Sequence, residues 1–209
     1  MPFLKKIKTE VGLLGIWELS DTPEELEKKI SFNSTECYEY AKIRLAKRKK
    51  EYLSARLLLK ELLGYKPEIR YQETGKPVLN NSSLRVSISH SAQLVTIILS
   101  EKKIGIDVEN TKRNIDRVAK RFLHKDEYSH ISTLMNSQEA RILYWSAKEA
   151  IFKCSDNQGS EFSEHIYIHP FELKSEGSFS GILNNSTHYK LWYFFYENNV
   201  IVYCVEENN

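Results

Sequence analysis

Residues 84–109, LRVSISHSAQLVTIILSEKKIGIDVE, decide the class of fold. Leu84, Val86 and Ile88 alternate with other residues, as do Val95, Ile97 and Leu99, and then Ile104, Ile106 and Val108. Strand side chains repeat every two residues, so each run reads as a strand. The short connectors Ser91-Ala92-Gln93 and Glu101-Lys102-Lys103 make three successive antiparallel strands the expectation.

Outward from this meander the period changes. Thr74-Gly75-Lys76-Pro77 and Asn80-Asn81-Ser82-Ser83 are turns, which set Lys76 on a short, well-punctuated loop. Before them, residues 35–63 follow a helical pattern with Ser34 or Thr35 as cap and Gly64 as stop, long enough for one helix or two. Val11 to Leu19 reads as a strand. Asp21 or Thr22 caps a helix whose first turn holds Pro23, Glu24 and Glu25 and which should stop near Ile30. Downstream, residues 114–129 and 138–154 read as helices, and Lys190 to Tyr196 with Val200 to Val205 as a hairpin turning on Asn198-Asn199. Helices beside antiparallel strands in each half give an α+β class, with two units expected at 1–102 and 103–209.

The chain has 209 residues, 41% hydrophobic and 28% charged, with 8 Gly and 5 Pro. That supports a packed core without disulfides and excludes disorder. The charge, 30 − 28 = +2, is too even to make nucleic acid or a membrane surface the default partner. Cys37, Cys154 and Cys204 have no metal or redox spacing. The N-terminal apolar run is broken by Glu10, Gly12 and Gly15, and no run approaches the ~20 apolar residues of a spanning helix. A cytoplasmic location is expected.

Three stretches can carry chemistry. On a strand, Ile106 and Val108 face the core while Asp107 and Glu109 share the other face, their Cα atoms about 6.5 Å apart. Paired carboxylates suit a hard divalent cation such as Mg²⁺, although the same spacing is that of an ordinary solvent-facing strand. In Trp145-Ser-Ala-Lys-Glu149, Glu149 shares a helix rim with Lys153. The two are either a surface ion pair or a carboxylate base beside a donor to an oxyanion. Ser89, His90 and Ser91 close a strand and can donate to a phosphate, while the absence of a GxSxG elbow argues against a hydrolase. The run Arg44, Lys47, Arg48, Lys49 and Lys50 is a solvated face or an anion site.

Taken together, Gly75-Lys76-Pro77, Ser87-Ile-Ser-His90-Ser91, Gly105-Ile-Asp-Val-Glu109, Phe122-Leu-His-Lys-Asp-Glu127 and Trp145-Ser-Ala-Lys-Glu149 followed by Lys153 resemble the 4′-phosphopantetheinyl transferases in their larger, Sfp-type form. The resemblance implies two similar α+β subdomains in a pseudo-twofold arrangement. The first would carry part of the coenzyme A phosphate site, the second the metal and the catalytic carboxylates. It further implies Mg²⁺ and coenzyme A, whose β-phosphate is attacked by a serine of an apo acyl- or peptidyl-carrier protein, releasing adenosine 3′,5′-bisphosphate, in fatty-acid, polyketide or nonribosomal-peptide synthesis. By motif match it assigns Asp107, Glu109 and Glu149 to the metal and Lys153 to the pyrophosphate. Arg56, Lys76, Ser89 and His90 would take the remaining phosphates, and Arg44, Lys47 and Arg48 stay unassigned near the ribose. Glu149, Glu127 and a metal-bound water are all open as the base.

The basic stretch 112–125, with Lys112, Arg113, Arg117, Lys120, Arg121 and Lys125 beside Phe122 and Leu123, is expected to dock the acidic helix of the carrier. A monomer is expected. The alternative is a module that holds coenzyme A or a carrier without catalysis. A nucleic-acid module on residues 42–56 would lack interleaved aromatic platforms.

Overall fold

The computed structural model describes residues 3–155 and 165–207, without the side chains of Phe3, Leu4 and Lys120. The elements follow as β1 (Phe3–Lys8), β2 (Leu13–Glu18), α1 (Pro23–Glu27), α2 (Ser34–Ala41), α3 (Ala46–Leu63), β3 (Ile69–Tyr71), β4 (Pro77–Leu79), β5 (Arg85–His90) and β6 (Leu94–Ser100). They continue as β7 (Ile104–Asn110), α4 (Asp116–Phe122), α5 (Lys125–Thr133), α6 (Ser137–Cys154), β8 (Ile166–Ile168), β9 (Glu176–Leu183), β10 (Thr187–Tyr196) and β11 (Asn199–Glu206).

Local chemistry sets the helix ends. Thr22 caps α1 and exchanges bonds with Glu25 in a capping box. The cap of α2 is Asn33, reciprocated by Glu36, one residue before the expected Ser34 or Thr35. The expected 35–63 helix is therefore two, and α3 ends at Gly64, whose left-handed φ of 77° returns its N–H to the Lys60 carbonyl. The 114–129 helix also divides, because the Glu127 carboxylate accepts from the His124 amide and starts α5 afresh. The last hairpin turns on Glu197-Asn198 rather than Asn198-Asn199, with the left-handed φ at Glu197.

The strands form two larger antiparallel sheets, β1-β2-β6-β5 and β7-β11-β10-β9-β8, and a small β3-β4 ribbon. The expected three-strand meander is corrected here: β5 and β6 pair, but β7 does not follow them. Both edges of β6 are taken, by β2 and β5, and β7 crosses to pair with β11, Asp107 opposite Val202. Strand β9, in a stretch where no strand was expected, extends that second sheet.

Four layers result. Val95, Ile97 and Leu99 of β6 pack under Leu53, Leu57 and Leu58 of α3. Leu94 and Ile98, on the other face, meet Leu14, Ile16, Ile104, Ile106, Val108, Ile201 and Tyr203 between the two sheets. On the far side, Val200, Val202 and Cys204 pack against Ala147, Ala150 and Ile151 of α6. Burial on both faces accounts for the nearly unbroken apolar runs of β6 and β11. No helix among the described residues is long and apolar enough to cross a membrane.

Helix α6 lies unusually close to β7 at Gly105. A Cβ there would stand 1.9 Å from the Ala150 carbonyl oxygen and 2.8 Å from the Cys154 nitrogen, both backbone atoms. Overpacking costs about 1–3 kcal/mol where side chains can yield, and here none can, so Gly105→Ala should lose at least about 3 kcal/mol in a denaturant titration.

Candidate active site at the seam between the sheets

Ser87, Ser89 and Ser91 recur at the strand period on one side of β5 and its end, and all three are buried. Ser87 Oγ accepts from the Ile106 amide at 3.0 Å and Ser89 Oγ from the Val108 amide at 3.3 Å. Ser91 Oγ donates to Asn199 Oδ1 at 2.9 Å. These hydroxyls supply the acceptors and donors that a backbone ladder would otherwise provide, and they join the edges of the two sheets.

Asp107 sits beside this seam. It is 4% exposed, so the solvent-facing strand that its spacing also allowed is excluded. Its Oδ1 accepts from Ser89 Oγ at 2.9 Å and Lys153 Nζ at 2.7 Å, and its Oδ2 from Ser146 Oγ at 2.8 Å. Lys153 Nζ also reaches Ser89 Oγ at 2.8 Å. Glu109, one strand repeat on, accepts from Trp145 Nε1 at 3.0 Å and pairs with Arg113, whose guanidinium lies over the Trp145 ring. Burial and the Asp107 charge raise its pKa, against Arg113 and Trp145.

Glu149 completes the group from α6. It is half-buried and, among the described residues, has no hydrogen-bond or ion-pair partner. Burial first, then the Asp107 and Glu109 charges, push it up to about 7, with Lys153 opposing. Three acids and one ammonium therefore share one field. Ser146, Glu149 and Lys153 fall at helical spacing on α6, so Ser146 belonged to the same stripe. Nothing in a serine's type singled it out, and the same holds for Ser87.

Two cavities open along β5. One of about 260 Å³ is lined by Gly75, Lys76, Ser87, Phe152, Lys153 and Ser155. Lys76 Nζ reaches the Cys154 and Ser155 carbonyls at 3.4 Å, at the C-terminal end of α6. The other, of about 480 Å³, shares Ile88 with the first and holds His90, Arg44, Arg48, Glu51, Tyr52 and Tyr71.

Two expected residues are not brought here. Arg56 is 4% exposed, stacked on Tyr52 and paired with Glu36 at 3.4 Å and Glu39 at 3.7 Å, and it lines a different hollow. Glu127 is 1% exposed. Its oxygens accept from the His124 and Ile168 amides and from Lys148 Nζ, each at 2.7 Å, so it ties α5, α6 and β8 together with no face toward a substrate. Phe122 and Leu123 are core residues and cannot dock a partner, whereas Lys112, Arg113, Arg117, Arg121 and Lys125 are exposed. The Lys120 side chain lies outside the described residues.

Among the described residues, no three His, Cys, Asp or Glu side chains stand close enough to hold a metal ion as they are. The donor set nevertheless suits a hard cation: all oxygen, with two carboxylates raised by burial and then by neighbouring carboxylate charge, which a dication would relieve. Lys153 and Arg113 supply positive charge beside Asp107 and Glu109.

Residues 103–205, which hold these acids and Lys153, match the model of the 4′-phosphopantetheinyl transferase superfamily. The chain is 37% identical over 93 residues to the 4′-phosphopantetheinyl transferase Sfp of Bacillus subtilis strain 168, covering 42% of each protein. It is 32% identical over 112 residues to a second Bacillus subtilis 4′-phosphopantetheinyl transferase, covering 52% of this chain and 49% of that one. With the 4′-phosphopantetheinyl transferase AcpT of Escherichia coli O157:H7 it shares 30% over 112 residues, 51% and 57% of the two chains. The matches thus span about half the length of these relatives. Over residues 103–205 the chain is thus similar to the 4′-phosphopantetheinyl transferase superfamily, and its α+β architecture accords with that fold.

The Glu149 shift has a thermodynamic sign. Well below pH 4.5, the carboxyl is protonated in both folded and unfolded chains. As pH rises toward about 7, only the folded state keeps the proton, so stability falls across that window and is then level. In EDTA, Glu149→Gln should therefore melt higher than the parent at pH 8, the gap closing toward pH 4.5. A gap independent of pH would exclude the raised carboxyl.

Proposed function

We propose that the chain transfers the 4′-phosphopantetheine arm of coenzyme A to a serine of an apo acyl- or peptidyl-carrier protein, with Mg²⁺. The observation that carries this is the shared field of Asp107, Glu109, Glu149 and Lys153, drawn from β7 and α6, inside the superfamily domain. Residues 1–102 would act as a subdomain bearing part of the phosphate site and 103–209 as the one bearing the carboxylates.

The chemistry follows from the groups present. Serine oxygen bonds to the β-phosphorus, the bond from that phosphorus to the bridging oxygen breaks, and adenosine 3′,5′-bisphosphate leaves with that oxygen. Lys153, held beside Ser89, places an ammonium where negative charge gathers on the leaving group. The serine proton would pass to Glu149, which has no hydrogen-bond or ion-pair partner among the described residues, rather than to Glu127, whose oxygens are taken by the His124 and Ile168 amides and Lys148. Lys76, Ser89 and His90 would receive phosphate oxygens along β5. A Mg²⁺ held by Asp107, Glu109 and Glu149 would neutralise the diphosphate.

Incubation with coenzyme A, Mg²⁺ and an apo carrier should raise the carrier mass by one phosphopantetheine. EDTA should abolish the gain, and Glu149→Gln should cut the rate by at least ~100-fold, the usual contribution of a general base. Unchanged mass across several carriers, with coenzyme A still bound, would favour a non-catalytic module.

The exposed cations of residues 112–125 are proposed to steer the acidic carrier. Arg117→Glu with Arg121→Glu should raise the carrier KM at least about fivefold with kcat little changed, the effect fading with added salt. An unchanged KM would remove this docking surface.

A further inference from the structure

Of the three acids at the seam, Asp107 is the one that, among the described residues, has donors on both carboxylate oxygens. Its carboxylate turns about a broad, two-fold torsion, so the strand alone does not fix the plane of the oxygens and partners must. Oδ1 has two, Ser89 Oγ at 2.9 Å and Lys153 Nζ at 2.7 Å, whereas Oδ2 has one, Ser146 Oγ at 2.8 Å. A carboxylate offers about four lone-pair positions. The position not taken by a described residue is therefore on the oxygen that Ser146 holds.

Ser146 uses its hydroxyl in an uncommon way for a helix serine. It lies wholly buried within α6, where such a hydroxyl can donate back to the carbonyl four residues earlier, here that of Ile142. Instead the hydroxyl leaves its own helix for Asp107, and its single proton has no other acceptor among the described residues. The carboxylate on β7 is thus tied to β5 through Ser89 and to α6 through Ser146. Lys153 is partly exposed and can turn to a ligand. The serines are fixed: Ser89 also accepts from the Val108 amide at 3.3 Å, and Ser146 is enclosed by the core. Ser146 and Glu149 stand one helical turn apart, so the bond turns Oδ2 toward the face of α6 that carries Glu149.

We propose that Ser146 is a positioning residue: its hydroxyl fixes the plane of the Asp107 carboxylate so that Oδ2 faces a divalent cation shared with Glu149. The inference rests on the metal role given to these acids under the proposed transferase function. Donors that orient metal-ligating carboxylates are typically worth ~10–100-fold in metal affinity. Without Ser146, Oδ2 would be a buried acceptor lacking a donor, and the carboxylate would turn toward Ser89 and Lys153 to recover one.

The test titrates Mg²⁺ by calorimetry into the metal-free full chain with coenzyme A present, for the parent, Ser146→Ala and Ser146→Cys. Ser146→Ala should weaken Mg²⁺ binding at least ~10-fold. Ser146→Cys, close in shape but a weaker donor, should fall between the two. A structural role alone would lower the melting temperature of Ser146→Ala and leave its Mg²⁺ affinity unchanged. A loss below ~10-fold in Ser146→Ala, weaker binding by Ser146→Cys than by Ser146→Ala, or no Mg²⁺ binding by the parent overturns the inference. If Ser146→Ala does not fold, Ser146→Cys decides alone: a loss of ~3-fold or more supports the inference and a smaller one overturns it. If Mg²⁺ binding responds as expected but no carrier gains mass, the failure falls on the transferase function and the role of Ser146 stands. If the carrier gains mass but Mg²⁺ binding does not respond, the function stands and the role of Ser146 falls.

Discussion

Two sheets meet along β5 and β7 without a backbone ladder, and the rest of the site depends on how that junction is satisfied. A strand edge left buried must find partners for its amides, or each orphaned group costs about 1–3 kcal/mol. Here Ser87 and Ser89 accept from Ile106 and Val108, and Ser91 ties the turn to Asn199. A hydroxyl both accepts and donates, so Ser89 holds the edge of β7 and still donates to Asp107. A backbone ladder would have fixed the same edge but left no donor for the carboxylate and no gap for cavities on either side.

The contrast between two acid–lysine pairs separates structure from chemistry. Glu127 and Lys148 are both wholly buried, and both carboxylate oxygens and two of the three ammonium protons have short partners in backbone or side chain. Such a pair is a local clamp: breaking it would strand a buried charge, and nothing remains for a ligand. Asp107 and Lys153 look alike by residue type, yet Lys153 is partly exposed and, with Glu109 held by Arg113 and Trp145, the neighbouring Glu149 is left in surplus. An excess of negative charge, held by packing at a cleft, is a stored demand for a cation or proton.

Much of this was legible in the sequence because it rests on local periods. Alternation at Ile104, Ile106 and Val108 placed Asp107 and Glu109 on one face, and helical spacing joined Glu149 to Lys153. What that face looked at was not legible, since solvent and a helix leave the same alternation on a strand; α6 covers it. Pairing of β7 with β11 lies nearly a hundred residues away in sequence and has no local signature. Glu127 and Arg56 misled for one reason: a charged residue within a matching motif carries no mark of burial, and each is neutralised by partners remote in sequence. The serines were visible, but as phosphate donors rather than as the joint between sheets.

The period of a single strand thus has two consequences. Because neighbours on β5 point apart, Ser89 serves α6 and its acids while His90 serves α3 and Glu51. Opposite imbalances result on the two sides: toward α6, Asp107, Glu109 and Glu149 outnumber Lys153 and Arg113, whereas toward α3, Arg44, Lys47 and Arg48 outnumber Glu51. A diphosphate with its counter-ion suits the first side, where negative groups compete for a metal. The second side keeps an excess of positive charge beside the aromatic walls of Tyr52 and Tyr71. One strand, by alternation alone, sorts a carboxylate-rich side from a cation-rich one.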